Sequence, residues 1–388
     1  MFPTLSSLFE YLFHIRIPVP IPTFGFFVAL AFLFPYYVFK SEFKRKEADG
    51  LIHAFNETEV VGAPASWLEL LVNGLLGFLF GFKVIGASIE HTKFVADPTA
   101  FIFSEEGSLV AGITGLIVFA GWIYLDRKKA QLPKPVVETR LVHPYQLNTY
   151  LVFMLAFFGF IGAKLFNTIE HWQEFIYQPV KVLFASNGFS FYGGLIFGAL
   201  TYLYICHKKG MKLVHLADIG SPGMMLAYAV GRIGCQLSGD GDWGIVNHHP
   251  KPDFIPQWMW AFNYPHNAIN AGISIPGCNG FYCSELAHGV YPTPFYEAAI
   301  CLLFFMLMWI FRRKITTPGF MFFTYLVLNG GERFLIEMIR VNPQYYILGM
   351  MFTQASLIGL LMLLGGLTGF VFIIINRKNN LQRRGSVA

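Results

Sequence analysis

The sequence carries little charge for its length. Only 13% of its 388 residues are Asp, Glu, Lys or Arg, whereas 55% are hydrophobic. A soluble domain of this size needs many more charged side chains on its surface, so the composition excludes that class and predicts a polytopic membrane protein. The net charge of +5 does not indicate a nucleic-acid partner, because the basic residues stand in short clusters after apolar segments.

Cysteine is also scarce, with five residues in the chain. Cys278 and Cys283 share a long loop predicted to lie outside the membrane, where a disulfide between them is favoured over a metal-binding pair. Cys206, Cys235 and Cys301 fall in or at apolar segments and are interpreted as small packing residues. We expect no metal and no cofactor, because no constellation of ligands compels one.

The start of the chain is not typical of a secretory leader. Residues 1–19 lack a basic stretch followed by a continuous apolar core, so no cleavable signal peptide is expected. The first apolar segment would then act as the insertion signal.

Long apolar segments predict an all-α membrane protein with about nine transmembrane helices. Each segment is near the roughly 20 residues that a spanning helix needs. The segments are 20–40, 67–87, 108–125, 145–166, 188–206, 214–238, 294–311, 319–339 and 350–376. Basic clusters follow alternate segments, at 40–46, 127–129, 208–212, 312–314 and 377–384. Because such clusters stay in the cytoplasm, the N-terminus is predicted outside and the C-terminus cytoplasmic.

The same pattern divides the chain into regions. They are an N-terminal lead with the first span (1–40), an inserted or duplicated two-helix segment (41–144), core spans (145–238), a small external head loop with little regular structure (239–293), C-terminal core spans (294–376) and a basic cytoplasmic tail (377–388). The duplication is suggested by FGFKVIGASIEH and FFGFIGAKLFNTIEH, which lie before two similar basic ends. The alternative is that spans facing one membrane simply look alike.

Charges inside the apolar segments indicate a site. Arg232 and Arg333 each lie in a predicted span, where a cation costs roughly 2.5–3.5 kcal/mol on mild insertion scales. An anionic ligand would offset this cost, and the arginine fork matches phosphate oxygens. The structural alternative is pairing with internal acids, for which the candidates are Asp218, Glu297, Glu332 and Glu337. Glu297, about a turn inside the outer face, is equally a functional candidate or such a partner.

A second element precedes these arginines. Tyr192, Gly193 and Gly194 open the predicted fifth span at its outer end. Paired glycines let a helix or a lipid headgroup approach the backbone closely, and packing is their commoner use. The tyrosine is either a hydrogen-bond donor to a ligand or an interface anchor.

These motifs occur in a recognisable order. YGGL, DIGSPGMMLAYAVGRIG, YPTPFYEA and RFLIEMIR together resemble the prolipoprotein diacylglyceryl transferase family. The resemblance implies an enzyme that moves a diacylglyceryl group from phosphatidylglycerol to the lipobox cysteine thiol of a prolipoprotein. It also implies an inner-membrane location, contact with membrane lipids and no cofactor.

The resemblance assigns roles to individual residues. Arg232 would hold the headgroup phosphate with Gly193, Gly194 and Cys235, and Arg333 would stabilise the leaving group. Tyr192 would donate a hydrogen bond, and Glu297 or Asp240 would accept the thiol proton, with the histidines His248 and His266 as alternatives. The chain departs from the family pattern at five places: Tyr192 replaces a histidine, Cys235 an asparagine, Asp240 a glutamate, and Phe24 and Asn329 replace tyrosines.

Two other functions fit parts of the pattern. The departures would suit a binding relative that has lost transfer activity. Intramembrane charges and a duplicated helix pair would suit a transporter, although the repeat keeps its orientation and the charges cluster at one face.

Overall fold

The structure is a computed structural model, and it describes residues 1–15, 21–96, 101–102, 104–184, 188–347 and 350–385. Within this part of the chain, seven helices are long and apolar enough to cross a membrane. They are Thr23–Ala48, Trp67–Ile89, Leu109–Lys129, Pro144–Glu170, Leu213–Ser238, Thr293–Phe311 and Gln354–Lys378. The protein is therefore a mostly helical, multi-pass membrane protein, as the composition predicts.

Ten helices carry the architecture. We number them α1 (Leu5–Phe13), α2 (Thr23–Ala48), α3 (Trp67–Leu79), α4 (Leu109–Lys129), α5 (Asn148–Glu170), α6 (Phe191–Lys208), α7 (Leu213–Ser238), α8 (Thr293–Phe311), α9 (Phe320–Ile336) and α10 (Gln354–Gly385). Each of the nine predicted spans overlaps one of α2–α10. The helices α6 and α9, with 18 and 17 residues, are shorter than the seven above, so a count of nine spans stays a prediction.

Short elements connect these helices. A π-helix at Phe80–Ile85 and a turn at Gly86–Ile89 continue α3, and 3-10 turns occupy Pro144–Leu147 and Glu337–Ile339. Short helices lie at His91–Ala96, Trp172–Tyr177, Pro179–Phe184 and Gln257–Trp260. Among the described residues there are also three antiparallel strand pairs: β1 (Phe55–Val61) with β2 (Val136–Val142), β3 (Ile273–Ser274) with β4 (Ser284–Glu285), and β5 (Gln344–Ile347) with β6 (Met350–Thr353).

The chain forms two compact units, one of residues 1–52 and 206–388 and the other of residues 53–205. In the first unit α7 packs against α2, α8 and α9. Glycines on α7 make the approach of α2 possible, because a Cβ on Gly223 would overlap the Phe39 ring and one on Gly234 would overlap Phe27. Small residues in the GSPG and GRIG motifs thus serve close helix packing.

A buried cluster holds α7, α8 and α9 together. Its members are apolar or weakly polar side chains from all three helices: Met225, Ala229, Cys301, Met308, Met321 and Tyr325. Cys301 is buried here and so is Cys206 elsewhere, in agreement with their interpretation as packing residues.

Asp218 joins α7 to the start of α9. Its carboxylate accepts hydrogen bonds from the backbone N–H groups of Gly319 at 2.9 Å and Phe322 at 3.1 Å, and it lies 3.3 Å from Lys46 Nζ. Asp218 therefore satisfies the first N–H groups of α9. It stands about 21 Å along α7 from Arg232, so it is not the partner of that arginine.

Residues 239–292 contain little regular structure, as the sequence predicts. Apart from one helical turn and the β3–β4 pair, the segment is ordered by isolated backbone bridges, such as Val246 and Phe262 to Val290, and by side-chain hydrogen bonds. Asn267 Nδ2 donates to the carbonyl oxygens of Tyr264, Ala271 and Ser284 at 3.0–3.1 Å. The predicted disulfide between Cys278 and Cys283 is formed.

The second unit contains two helix pairs, α3 with α4 and α5 with α6. Glycines face each other at each crossing, Gly77 against Gly115 and Gly162 against Gly193. Each pair also has a lysine that donates to backbone carbonyl groups: Lys83 to those of residues 101, 104 and 106, and Lys164 to that of Gly188 at 3.5 Å. The duplication itself stays a prediction.

Candidate functional site

Arg232 lies near the end of α7, about two turns before the helix stops at Gly239. Gly239 adopts the left-handed conformation (φ 67°) that ends many helices. Tyr228 and Cys235 lie four residues before and three after Arg232, so all three share one helix face. The guanidinium lies 5.1 Å from the centre of the Tyr228 ring, and its Nη1 lies 3.7 Å from Cys235 Sγ.

Glu297 is the centre of the site. It lies in the second turn of α8, and its side chain has no exposed surface. Its oxygens lie 3.1 Å from Arg232 Nε, 2.8 Å from Arg333 Nη1 and 3.2 Å from Arg340 Nη1. The Tyr228 hydroxyl donates to the same carboxylate at 2.9 Å. Three guanidinium groups, one from α7 and two from the end of α9 and the turn after it, therefore converge on one carboxylate.

Asp242 links Arg232 to Arg340 a second time, beside Glu297. One of its oxygens pairs with Arg232 Nη1, and the other lies 2.6 Å from Arg340 Nη2. Backbone pairing fixes this geometry, because Gly244 bridges to Arg340 and the N–H of Ile245 donates to the Ile339 carbonyl at 2.8 Å. The loop after α7 and the turn after α9 are thereby held side by side.

The two acidic residues at the end of α9 and just after it, Glu332 and Glu337, have different surroundings. Glu337 lies 3.2 Å from Arg333 Nη2 and accepts a hydrogen bond from Asn342. Glu332 is buried on α9, and neither of its carboxylate oxygens has a hydrogen-bond partner among the described residues. Of the four acids considered as structural partners, Glu297 and Glu337 contact the arginines.

Two aspartates with unlike environments follow α7. Burial and the neighbouring charge of Asp242 raise the pKa of Asp240 above its ordinary value. Burial alone would also raise the pKa of Asp242, but the charges of Arg232 and Arg340 lower it below its usual value. Asp240 is therefore the stronger base of the two, and the arginines favour the anionic form of Asp242.

Cys235 lies beside these aspartates, with its Sγ 3.7 Å from Asp242 Oδ2. Ligand atoms of Cys235, Asp240 and Asp242 lie within 4.8 Å of one another, so by spacing alone these three described residues could hold a metal ion. The guanidinium of Arg232 already contacts two of the three. It supplies positive charge where such an ion would sit.

The predicted residues Tyr192, Gly193 and Gly194 lie in α6, in the second unit. A Cβ on Gly193 would overlap the Gly162 carbonyl oxygen, whereas one on Gly194 would meet Gly159 O at an ordinary 3.4 Å. Gly193 thus has a packing role between α5 and α6. Tyr192 is half-buried in its own unit.

The two histidine alternatives lie in the segment after α7. His248 is exposed, and His266 Nδ1 lies 2.8 Å from the Tyr282 carbonyl oxygen, beside the disulfide. Neither has a described contact with the three arginines.

Sequence reasoning missed Arg340, Asp242 and Tyr228. Two of them carried a detectable signal: Tyr228 lies one helical turn before Arg232, and Arg340 continues the spacing of Arg333 and Glu337. Asp242 carried none, because its place depends on the pairing of two distant loops.

The fold and these contacts define a polytopic membrane protein with a buried arginine site at one end of its first unit. Residues 113–372 match the sequence model of the prolipoprotein diacylglyceryl transferase family. The chain is 28% identical over 272 residues to the phosphatidylglycerol–prolipoprotein diacylglyceryl transferase of Leptospira interrogans, covering 63% of this chain and 76% of that protein.

Streptococcal proteins of the same name give similar values. The one from Streptococcus mutans is 28% identical over 272 residues, covering 69% of this chain and 89% of the relative. The one from Streptococcus pyogenes serotype M1 is 28% identical over 270 residues, covering 69% of this chain and 88% of the relative. The chain belongs to the prolipoprotein diacylglyceryl transferase family.

Proposed function

We propose that this protein transfers the diacylglyceryl group of phosphatidylglycerol to the lipobox cysteine of prolipoproteins. The observation that carries the proposal is the convergence of Arg232 and Arg333 on Glu297. Guanidinium groups fixed in a water-poor site stabilise negative charge that develops on a phosphate. The family and the names of the relatives support the same substrates.

The reaction is a displacement at carbon. The lipobox thiolate attacks the glyceryl carbon that bears the phosphate, so a carbon–sulfur bond forms and the carbon–oxygen bond to phosphate breaks. The electron pair stays on the phosphate oxygen, and glycerol phosphate leaves. Arg232 binds the phosphate of the intact lipid, and Arg333 stabilises the charge that grows on it.

The attacking thiol must first lose its proton, since its ordinary pKa is about 8.5. Asp240 accepts that proton, because its raised pKa makes it a stronger base than an ordinary aspartate. The carboxylate oxygens of Glu297 are already engaged by three arginines and the Tyr228 hydroxyl. Its role is to position the guanidinium groups.

The remaining site residues support binding. Arg340 and Asp242 fix the geometry of Arg232 through a second charge bridge. Cys235 lines the same face of α7 as Arg232. Tyr192, Gly193 and Gly194 lie in the second unit, and their contact with the lipid headgroup stays a prediction.

The topology follows from the charge pattern. Nine spans place the N-terminus on the outer side of the inner membrane and the C-terminus on its cytoplasmic side. Residues 239–293 then form an external head, next to the ends of α7 and α9 that carry Arg232 and Arg333 and the start of α8 that carries Glu297. This arrangement suits a substrate lipid of the outer leaflet and a secreted prolipoprotein.

The test is incubation of the purified protein with phosphatidylglycerol and a lipobox peptide, followed by the mass of the peptide. Wild type adds one diacylglyceryl group to the peptide cysteine. The variants Arg232→Ala and Arg333→Ala should each lose at least about a hundredfold in rate, the usual effect of removing one transition-state donor.

Arg127→Ala is the matched control, because Arg127 also pairs with an acid, Glu69 at 2.7 Å, but lies in the second unit. It should retain the wild-type rate. Full transfer by the Arg232→Ala/Arg333→Ala double variant would refute the proposed role of the arginines. Failure of the wild-type protein to modify the peptide, or to complement a strain lacking its transferase, would favour the binding relative instead.

A further inference from the structure

A second cationic cavity lies at the other end of the first unit. It has a volume of about 490 Å³ and lies between the end of α2 and the end of α8. Its lining residues are Ser41, Lys44, Arg45, Asp49, Arg312 and Arg313. Arg312 is about 22 Å along α8 from Glu297, at roughly 1.5 Å per residue. The cavity is therefore separate from the three-arginine site.

A buried carboxylate orders two of its guanidinium groups. Glu42 has no exposed surface and lies 2.6 Å from Arg45 Nη2 and 3.1 Å from Arg312 Nε. The side chains of Arg45 and Arg312 keep 17% and 13% of their surface exposed. Both groups are thus fixed before a ligand binds, which reduces the entropy lost on binding.

The charge of the cavity is unbalanced. Its four cationic side chains face two anionic ones, Asp49 in the lining and Glu42 beneath it. The excess of positive charge selects an anion, and the volume is that of a small-molecule site. Arginines favour phosphate among anions because their paired N–H groups match its oxygens, and Ser41 adds a hydroxyl.

We propose that this cavity binds the phosphate of an anionic headgroup at the membrane face opposite the three-arginine site. The ends of α2 and α8 that form it carry two of the basic clusters of the sequence, and the positive-inside pattern predicts such clusters at the cytoplasmic surface. Anionic lipids of the cytoplasmic leaflet present such phosphates next to basic residues. Soluble phosphate offers the same chemistry from the aqueous side.

The test uses the full-length protein in detergent with a photoactivatable phosphatidic acid, whose adducts are mapped by peptide mass spectrometry. We expect adducts near the ends of α2 and α8. The variant Lys44→Gln/Arg313→Gln removes two lining charges and leaves Arg45 and Arg312, the partners of Glu42, in place. Its thermal unfolding in detergent, compared with that of wild type, checks that the fold is kept. Its adduct yield at these positions should fall about tenfold or more.

Arg377→Gln/Lys378→Gln is the matched control, since it removes one arginine and one lysine from the exposed end of α10. Its yield should equal that of wild type. An equal fall in both variants, or no fall in Lys44→Gln/Arg313→Gln, would overturn the proposal. Excess inorganic phosphate separates the two sources: adducts that resist it indicate lipid, and adducts that it abolishes indicate soluble phosphate bound at the same site.

Transfer to a lipobox peptide at saturating phosphatidylglycerol should be unchanged in Lys44→Gln/Arg313→Gln. The cavity and the transferase site are thus tested independently.

Discussion

The site depends on one carboxylate that serves several cations. Glu297 contacts three guanidinium groups and a tyrosine hydroxyl, while Asp242 and Glu337 provide further negative charge. Because the three arginines share the Glu297 carboxylate, they lie close together. Separate acids for each arginine would allow them to lie apart. This arrangement keeps buried cations near one point without ligand, so that an incoming phosphate meets groups already in place.

Removing the shared carboxylate should therefore destabilise the first unit. Glu297→Gln leaves the three arginines with less neutralisation, and breaking a buried ion pair on one side costs about 3–5 kcal/mol. Thermal unfolding of the purified protein in detergent measures the loss. Glu337→Gln is the control, because Glu337 pairs with Arg333 alone, and its effect should be clearly smaller. Equal effects of the two variants would contradict the central position of Glu297.

The pH dependence of transfer should report Asp240. A base with a raised pKa loses activity as the pH falls through that pKa, at a higher pH than an ordinary aspartate with a pKa of about 3.9. Asp240→Asn should reduce the transfer rate about a hundredfold and abolish this acid limb, whereas Asp240→Glu should keep it.

Although Asp240→Asn should lose transfer activity, its folded state should not lose stability. A raised carboxyl pKa means that the folded state favours the proton, so the contribution to stability is lost as the pH rises through the pKa. The asparagine variant should thus be as stable as wild type or more so at neutral pH. For Asp242, whose pKa is lowered, stability is instead lost as the pH falls. A wild-type pH profile in Asp240→Asn would show that another group takes the proton.

At the scale of helices, close crossings at glycine are the main packing device. α2 meets α7 at Gly223 and Gly234, and α5 meets α6 at Gly162 and Gly193. The apolar segments made the helices predictable, and the Gly-rich motifs marked where they pack. Motif order also identified Arg232, Arg333 and Glu297. It did not identify Asp242, because side chains brought together by loop pairing leave no periodic pattern in the sequence.

The YGGL element offers a matched pair of glycines. Gly193→Ala should weaken the packing of α5 on α6, because its Cβ would overlap the Gly162 carbonyl oxygen, and overpacking costs typically 1–3 kcal/mol. Gly194→Ala should be tolerated, since its Cβ meets ordinary van der Waals distances. Thermal unfolding and transfer rates of both variants distinguish the roles. If Gly194→Ala alone lost transfer while remaining stable, close approach of the lipid headgroup at Gly194 would be supported.

For the whole molecule, composition was sufficient to predict the class, and the boundaries of regions were harder. The family match begins at residue 113, inside α4, although 41–144 is the predicted inserted or duplicated segment. Short polar motifs are recognisable one by one, whereas weakly similar apolar helices are not, since many sequences fill a lipid-facing surface equally well. In the structure, β1 (residues 55–61) pairs with β2 (residues 136–142), so this strand pair marks the two ends of the segment that contains α3 and α4.

The orientation in the membrane can be tested with new cysteines. Of the native cysteines, Cys206, Cys235 and Cys301 are buried and the other two form a disulfide, so background labelling should be low. Asp253→Cys lies on an exposed part of the segment after α7, and Lys378→Cys is exposed on α10. The positive-inside pattern predicts that a membrane-impermeant maleimide labels position 253 in intact spheroplasts and position 378 only after permeabilisation.

The two positions are separated by α8, α9 and α10, and α9 is the shortest of these helices. If all three helices span, an odd number of crossings puts the positions on opposite sides. Labelling of both in intact spheroplasts would mean that α9 does not cross, and nine spans would be wrong. Labelling of position 378 alone in intact spheroplasts would mean that the orientation is the reverse of the predicted one. The three-arginine site would then face the cytoplasm, where a secreted prolipoprotein awaiting lipid at the outer leaflet does not meet it.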